Sequence, residues 1–164
     1  MSIGQSLLPE FDQEMATTRR VLERVPSDKV QWKPHQKSFA LGHLAQLVAW
    51  MPGWITQTVQ QTELNLATAP KYTFEQTETL LQLFDRNVRE ARAALSAVKD
   101  ADLKVKWSLK AGPKVLISST RGEVVRQHIN HLVHHRGQLT VYFRLIDVPV
   151  PSVYGPTADE GWSG

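Results

Sequence analysis

Apolar side chains recur every three or four positions along four separate stretches of this 164-residue chain. The first stretch runs from Ile3 to Val25 and stops before Pro26. The second runs from about Phe39 to Thr62, with Ser38 as its expected N-cap. This spacing places the apolar side chains on one face of a helix. The pattern therefore predicts two amphipathic helices joined by a crossover loop that contains prolines.

The second predicted helix contains the pair Pro52-Gly53. Proline has no backbone N–H, and its ring clashes with the carbonyl one turn earlier. We therefore expect a kink near Trp50 to Met51.

Capping-box signals mark the starts of two more helices. Thr73 to Gln76 has the form Thr-x-x-Gln and precedes apolar positions that continue to Val98. Thr120 to Glu123 has the form Thr-x-x-Glu and precedes positions that continue to Leu145 or Ile146. In such a box the two side chains accept hydrogen bonds from each other's backbone N–H groups. The third and fourth helices are predicted to start there.

The segment from Leu103 to Ser119 has a different pattern. Val105 to Leu109 alternates apolar and polar residues, Ala111 to Pro113 has the composition of a turn, and Val115 to Ile117 is rich in β-branched residues. Alternation on either side of a turn is typical of paired strands. A short β-hairpin or extended flap is predicted before the fourth helix.

Four long helices without helix–strand alternation predict an all-α fold, an antiparallel four-helix bundle. A length of 164 residues fits one domain, spanning 1–164. The tail 147–164 is expected to be extended, because regular helix is disfavoured by its prolines, Pro149, Pro151 and Pro156.

Composition narrows the classes of function. The chain has no cysteine, which excludes disulfides, thiolate catalysis and Cys-rich zinc sites. Its net charge of +3 is spread along the chain, so a nucleic-acid partner is not expected. The sequence shows neither a secretory signal nor an apolar run long enough to cross a bilayer, so a cytoplasmic location and no membrane contact are expected.

Four of the six histidines fall between His128 and His135. His131 and His135 are four residues apart, so on a helix they share a face about 6 Å apart and are able to converge on one ion. His128 lies on the same face and His134 points elsewhere. Neutral imidazole is a common metal ligand. The predicted cofactor is a divalent transition metal, Zn or Ni, although all-nitrogen sites also accept Cu and other ions.

Several segments together resemble the DinB-like (damage-inducible) four-helix-bundle family. The most specific is the His-x-x-x-His-Arg-Gly-Gln-Leu block that begins at His131. The others are Leu41 to Ala45, Met51 to Trp54 and Val150 to Pro156. The resemblance implies an up-down-down-up bundle, frequent homodimers and a divalent ion held by three histidines, one from the second helix and two from the fourth.

The same resemblance assigns the ligands. His131 and His135 match the two positions on the fourth helix, whereas the slot on the second helix is occupied by Leu47. His43 is the nearest histidine on that helix, one turn earlier on the same face, and is the expected third ligand. His128 is the competing candidate, but it lies about 10 Å along the helix axis from His135.

Two functions follow from these assignments. The first is a metal-dependent hydrolase or thiol-type transferase that acts on a small molecule, with water at the open position of the ion. The rival is a non-catalytic, stress-associated or small-ligand-binding bundle in which the metal site has decayed. Tryptophans are expected either to line an apolar pocket beside the ion or to serve as core and dimer contacts, namely Trp32, Trp50, Trp54 and Trp107. Arg136 and Gln138 are candidates for orienting a substrate anion or a ligand imidazole, and a helix-surface salt bridge is the alternative.

Overall fold

A computed structural model describes residues 2–73 and 76–162 of the chain. Within these residues the fold is mostly helical, with a small three-stranded sheet. The long helices are α1 (Ile3–Leu22), α2 (Leu41–Gln60), α3 (Thr77–Ala97) and α5 (Arg121–Leu145), and α4 (Asp100–Leu103) is a single turn. No helix in the described part of the chain is long and apolar enough to cross a membrane.

The helices pack around one apolar core. α1 and α2 each contact α3 and α5. The most deeply buried side chains come from all four long helices, and they include Leu7, Phe11, Leu44, Met51, Phe84, Leu95, Leu132 and Phe143. The predicted periodicity was therefore correct for the buried faces of the four helices.

Helix α2 begins two residues later than predicted, and Ser38 is not its N-cap. The N-cap is Ala40, whose side chain has no oxygen to accept a hydrogen bond. Instead, the N–H groups of Leu41 and Gly42 donate to carbonyls of the preceding loop, those of Trp32 and Val30, at 2.9 Å each. Backbone groups of the crossover loop thus satisfy donors that a side-chain cap usually satisfies.

Helix α2 continues through Pro52 without a break. Gly53 lies where α3 comes close, since a Cβ added there would stand 3.2 Å from the Asn87 side chain. The amide of Asn87 donates to the carbonyl of Ala49 at 2.9 Å. This buried bond fixes α2 to α3 at the proline.

Helix α3 does not begin at the capping box predicted at Thr73 to Gln76. Phe74 and Glu75 lie outside the described residues, but Gln76 is extended and is itself the N-cap of α3. The N–H of Thr77 donates to the hydroxyl of Ser27 at 3.1 Å, so a residue 50 positions away caps this helix.

The predicted box at Thr120 to Glu123 is confirmed at the start of α5. The helix ends at Leu145, as predicted, and Asp147 adopts a left-handed φ of 58°. The N–H of Val148 then donates to the carbonyl of Phe143 at 3.0 Å, the bond that defines a Schellman motif.

The predicted hairpin is confirmed, and it belongs to a sheet with one strand that was not predicted. β2 (Lys106–Ala111) and β3 (Lys114–Thr120) are antiparallel, and β1 (Glu63–Asn65) pairs in parallel with β2. The register aligns Leu64 with Leu109 and Leu109 with Ile117. One apolar row therefore crosses all three strands.

The tail after α5 has neither helix nor strand up to Trp162, and charged side chains hold it against the helices. Glu160 pairs with Arg20 at 2.5 Å and with Arg24 at 2.7 Å. Asp159 pairs with Arg144 and accepts a hydrogen bond from the N–H of Val150 at 2.8 Å.

Candidate functional site

His131 and His135 converge on one face of α5, as their spacing predicts. Their Nε2 atoms are 2.9 Å apart. His135 is buried and His131 is half-buried, so neither ring stands free in solvent. Burial, followed by the neighbouring histidines, lowers the pKa of His131, and burial is also the main cause of the lowered pKa of His135. Both imidazoles are therefore held neutral, the form that coordinates metal.

Gln138 fixes the orientation of His135. Its Oε1 lies 2.7 Å from Nδ1 of His135, and its Nε2 lies 3.2 Å from Nε2 of His134. An amide oxygen only accepts hydrogen bonds, so Nδ1 of His135 must carry the proton. The lone pair on Nε2 of His135 then faces Nε2 of His131. Metal-bound histidines commonly donate the N–H of their other ring nitrogen to a neighbouring group, as Nδ1 of His135 does to Gln138.

The distance within this pair fits two ligands of one ion. Two nitrogens that each bind a metal at about 2.05 Å stand about 2.9 Å apart when the angle at the metal is about 90°, as in octahedral coordination, and about 3.3 Å apart at the tetrahedral angle of zinc. Without an ion, the same distance fits a hydrogen bond between the two rings. Neutral nitrogen donors of this kind suit Zn and Ni.

His43 is not brought to this pair. Its ring is stacked between Phe39, at a centroid distance of 4.4 Å, and Tyr72, at 3.8 Å. Trp50 extends the stack beyond Tyr72 at 4.6 Å. Within residues 2–73 and 76–162, no group of three or more His, Cys, Asp or Glu side chains is arranged to hold a metal ion. His43, the third ligand predicted from the resemblance, is thus held in an aromatic stack.

The other candidate positions on α2 and α5 have separate roles. Leu47, in the slot expected for a ligand, is 6% exposed and belongs to the apolar core. His128 does not join the pair, since its Nε2 lies 3.2 Å from the hydroxyl of Thr58. Burial lowers the pKa of His128 to about 4. His134 and His35 are exposed.

An apolar pocket adjoins the histidine pair. It has a volume of about 280 Å³ and lies between α2, α5 and the sheet. Its walls are Trp54, Leu64, Leu66, Trp107, Leu109, Ile117, Val124, Gln127, His128 and His131. Because His131 belongs both to this wall and to the pair, a molecule in the pocket would contact the pair directly.

Two of the four candidate tryptophans, Trp54 and Trp107, line the pocket. Trp50 stacks on Tyr72, and Trp32 packs edge-on against Tyr142 at a centroid distance of 5.6 Å. The sequence did not place the pocket because β1, which supplies Leu64, has only three residues and no readable alternation.

Arg136 neither contacts the histidine pair nor forms a surface salt bridge. Its side chain is 1% exposed and pairs with Glu14 of α1 at 2.6 Å. The hydroxyl of Tyr154 accepts a hydrogen bond from Arg136 at 2.8 Å and donates one to Glu14 at 2.9 Å. This buried network joins α1, α5 and the tail.

Comparisons with known proteins agree with this fold. The sequence matches the DinB family over residues 1–162. The fold is similar to a DinB-like protein from Bacillus cereus, with a TM-score of 0.72, 21% identity, and coverage of 92% of this chain and 97% of that one. It is also similar to a DinB-like protein from Bacillus subtilis, with a TM-score of 0.69, 17% identity, and coverage of 90% and 97%. No curated protein matches the chain in sequence.

Proposed function

Since the chain belongs to the DinB family, and since His131 and His135 converge beside an apolar pocket, we propose that it is a metal-dependent enzyme acting on a small molecule. The observation that carries the proposal is the 2.9 Å distance between the two Nε2 atoms. The reaction is hydrolysis or a thiol-type group transfer. The proposal includes an antiparallel four-helix bundle and a homodimer, both of which the family resemblance supports, and a cytoplasmic location, which rests on the sequence alone.

Each residue of the site has a defined part in this proposal. His131 and His135 hold a divalent ion, Zn or Ni. Gln138 keeps the proton of His135 on Nδ1, so that Nε2 is free to coordinate. Trp54 and Trp107 bind the apolar part of the substrate and exclude water from it. A bound divalent ion supplies Lewis acidity toward a water molecule or a substrate heteroatom.

With only two protein ligands in place, a third donor has to come from His43, from water or from the substrate. His43 reaches the ion only if its stack with Phe39 and Tyr72 opens. A substrate that contributes a donor atom would bind to metal and pocket together, so metal and substrate would each raise the affinity for the other.

Metal titration of protein purified without an affinity tag tests this function. After dialysis against a chelator, calorimetric titration with Zn²⁺ and with Ni²⁺ is expected to show one ion bound per chain. His131→Ala and His135→Ala are expected to abolish binding, whereas the exposed loop variant His35→Ala is expected to retain it. Gln138→Leu is expected to weaken binding by about 10-fold to 100-fold.

The rival function is a non-catalytic bundle that binds a small ligand. It is favoured by Leu47 in the ligand slot and by the aromatic stack around His43. Occupancy well below one ion per chain, unchanged by His131→Ala, would establish the rival and eliminate the enzyme.

A further inference from the structure

We propose that the pocket between the sheet and helices α2 and α5 selects a neutral, ring-bearing small molecule. The three-stranded sheet forms the pocket wall that determines this selection. This inference rests on the proposed function in one respect, because it names the substrate class of the same site. The binding itself needs no metal ion.

The register of the sheet builds the first wall. Leu64, Leu109 and Ile117 are cross-strand partners in one row, so their side chains stand on the same face of the sheet. Trp107 lies two residues before Leu109 and therefore on that face as well. Leu64, Leu109 and Ile117 are only half-buried, which shows that the helices opposite do not fill the space in front of them.

Aromatic rings form much of the opposite wall. Trp54 of α2 lies 5.7 Å from the ring of His128 and 6.1 Å from the ring of His131, measured between centroids. Trp107 meets His128 edge-on at 6.2 Å. Rings prefer stacked or edge-to-face partners at such distances, so a flat ring gains more contact here than a flexible chain does.

The charge of the lining selects against ions. None of the ten residues that line the pocket is Asp, Glu, Lys or Arg. His128 is fixed by the hydroxyl of Thr58, and its lowered pKa keeps it neutral at cellular pH. Without a metal ion at the histidine pair, a charged ligand would lose its water here without gaining a partner, which is unfavourable.

The volume limits the size of the ligand. A cavity of about 150 Å³ accommodates benzene, whereas drug-sized ligands occupy about 300–1,000 Å³. At about 280 Å³ the pocket suits a molecule of one or two rings. His131 in the wall places the functional group of such a molecule at the histidine pair.

A matched pair of probes tests this inference. 1-Naphthol is neutral at pH 7, and naphthalene-1-sulfonate has the same rings with a negative charge. Calorimetry in the presence of a chelator is expected to show 1-naphthol binding at one site per chain, and naphthalene-1-sulfonate binding at least about tenfold more weakly. Equal affinities, or no binding of 1-naphthol, would overturn the proposal.

Variants of the sheet locate the binding. Ile117→Trp fills the pocket and is expected to weaken 1-naphthol binding at least about tenfold. Leu116→Trp, at the exposed neighbouring position, is the matched control and should leave the affinity unchanged. If Ile117→Trp fails to fold, Leu66→Trp at the exposed rim of the pocket provides the same test. Unchanged affinity in a folded pocket variant would contradict the assignment.

The two proposals fail separately. If the protein binds 1-naphthol but no metal ion, the metal-dependent enzyme is contradicted and the ligand class of the pocket is supported. If the protein binds a metal ion through His131 but does not bind 1-naphthol, the metal site is supported and the proposed substrate class is contradicted.

Discussion

Individual histidines on α5 differ in orientation because their hydrogen-bond partners differ. His135 is oriented by Gln138, which lies three residues further along the helix, whereas His128 is held by Thr58 of another helix. The first contact is local, so it was foreseeable from the spacing in the sequence. The second depends on how α2 packs against α5, and periodicity along one helix contains no information about it.

The burial of His128 leads to a prediction about pH. Folding lowers its pKa from 6.5 to about 4, so between these pH values the unfolded chain binds a proton that the folded chain does not. Stability therefore rises with pH across this window, and it is lost as the pH falls from 6.5 toward 4. The contribution of one such group is at most about 1.4 kcal/mol per pH unit.

Urea unfolding of metal-free protein at several pH values between 4 and 7 measures this effect. His128→Gln is expected to reduce the slope of stability against pH by up to about 1.4 kcal/mol per unit. His35→Gln, at an exposed position, should leave the slope as it is. An unaltered slope in His128→Gln would show that this histidine does not titrate between the two values.

At the scale of elements, the helices were predictable in their faces but less so in their ends. The start of α5 was correct because both partners of its capping box lie within four residues. The starts of α2 and α3 were wrong because their N–H groups bond to Trp32, Val30 and Ser27, which belong to other segments. Local sequence predicts a helix end only where the cap itself is local.

Two glycines in helices are expected to respond oppositely to the same substitution. At Gly4 an added Cβ would stand 2.3 Å from the carbonyl oxygen of Leu95 and 2.7 Å from Val98, so Gly4→Ala forces α1 away from α3. At Gly137 of α5 an added Cβ meets nothing within 4 Å. Alanine favours helix over glycine by about 1 kcal/mol where space allows, whereas overpacking costs about 1–3 kcal/mol.

Thermal or urea unfolding of both variants measures the difference. Gly4→Ala should lower the free energy of unfolding by about 1–2 kcal/mol, and Gly137→Ala should raise it by up to about 1 kcal/mol. A neutral or stabilising Gly4→Ala would mean that α1 and α3 do not approach as closely as described.

At the scale of the whole molecule, the network around Arg136 ties the two ends of the chain together. It links Glu14 of α1, Arg136 of α5 and Tyr154 of the tail through contacts of 2.6–2.9 Å. A buried ion pair of this kind adds little net stability compared with apolar residues, but the loss of one partner leaves the other charge unpaired. We expect the network to determine how α5 sits against α1.

A double-mutant cycle tests this role. Arg136→Met and Glu14→Leu are each expected to cost about 3–5 kcal/mol, and the double variant should cost clearly less than their sum. The exposed pair Arg92 and Asp12, 2.9 Å apart, is the control, and Arg92→Ala should cost at most about 1 kcal/mol. Additive losses in the buried pair would contradict the coupling, as measured by urea unfolding.

The sequence by itself determined the four helical faces, the hairpin and the convergence of His131 and His135. Each of these depends on periodicity or on contacts between residues that are near in sequence, and such contacts follow from backbone geometry alone. The tertiary structure decided the parallel strand β1, the burial of Arg136, the stacking of His43 and the pocket beside the pair. These features join residues that are distant in sequence, so they are fixed only when the elements pack against one another.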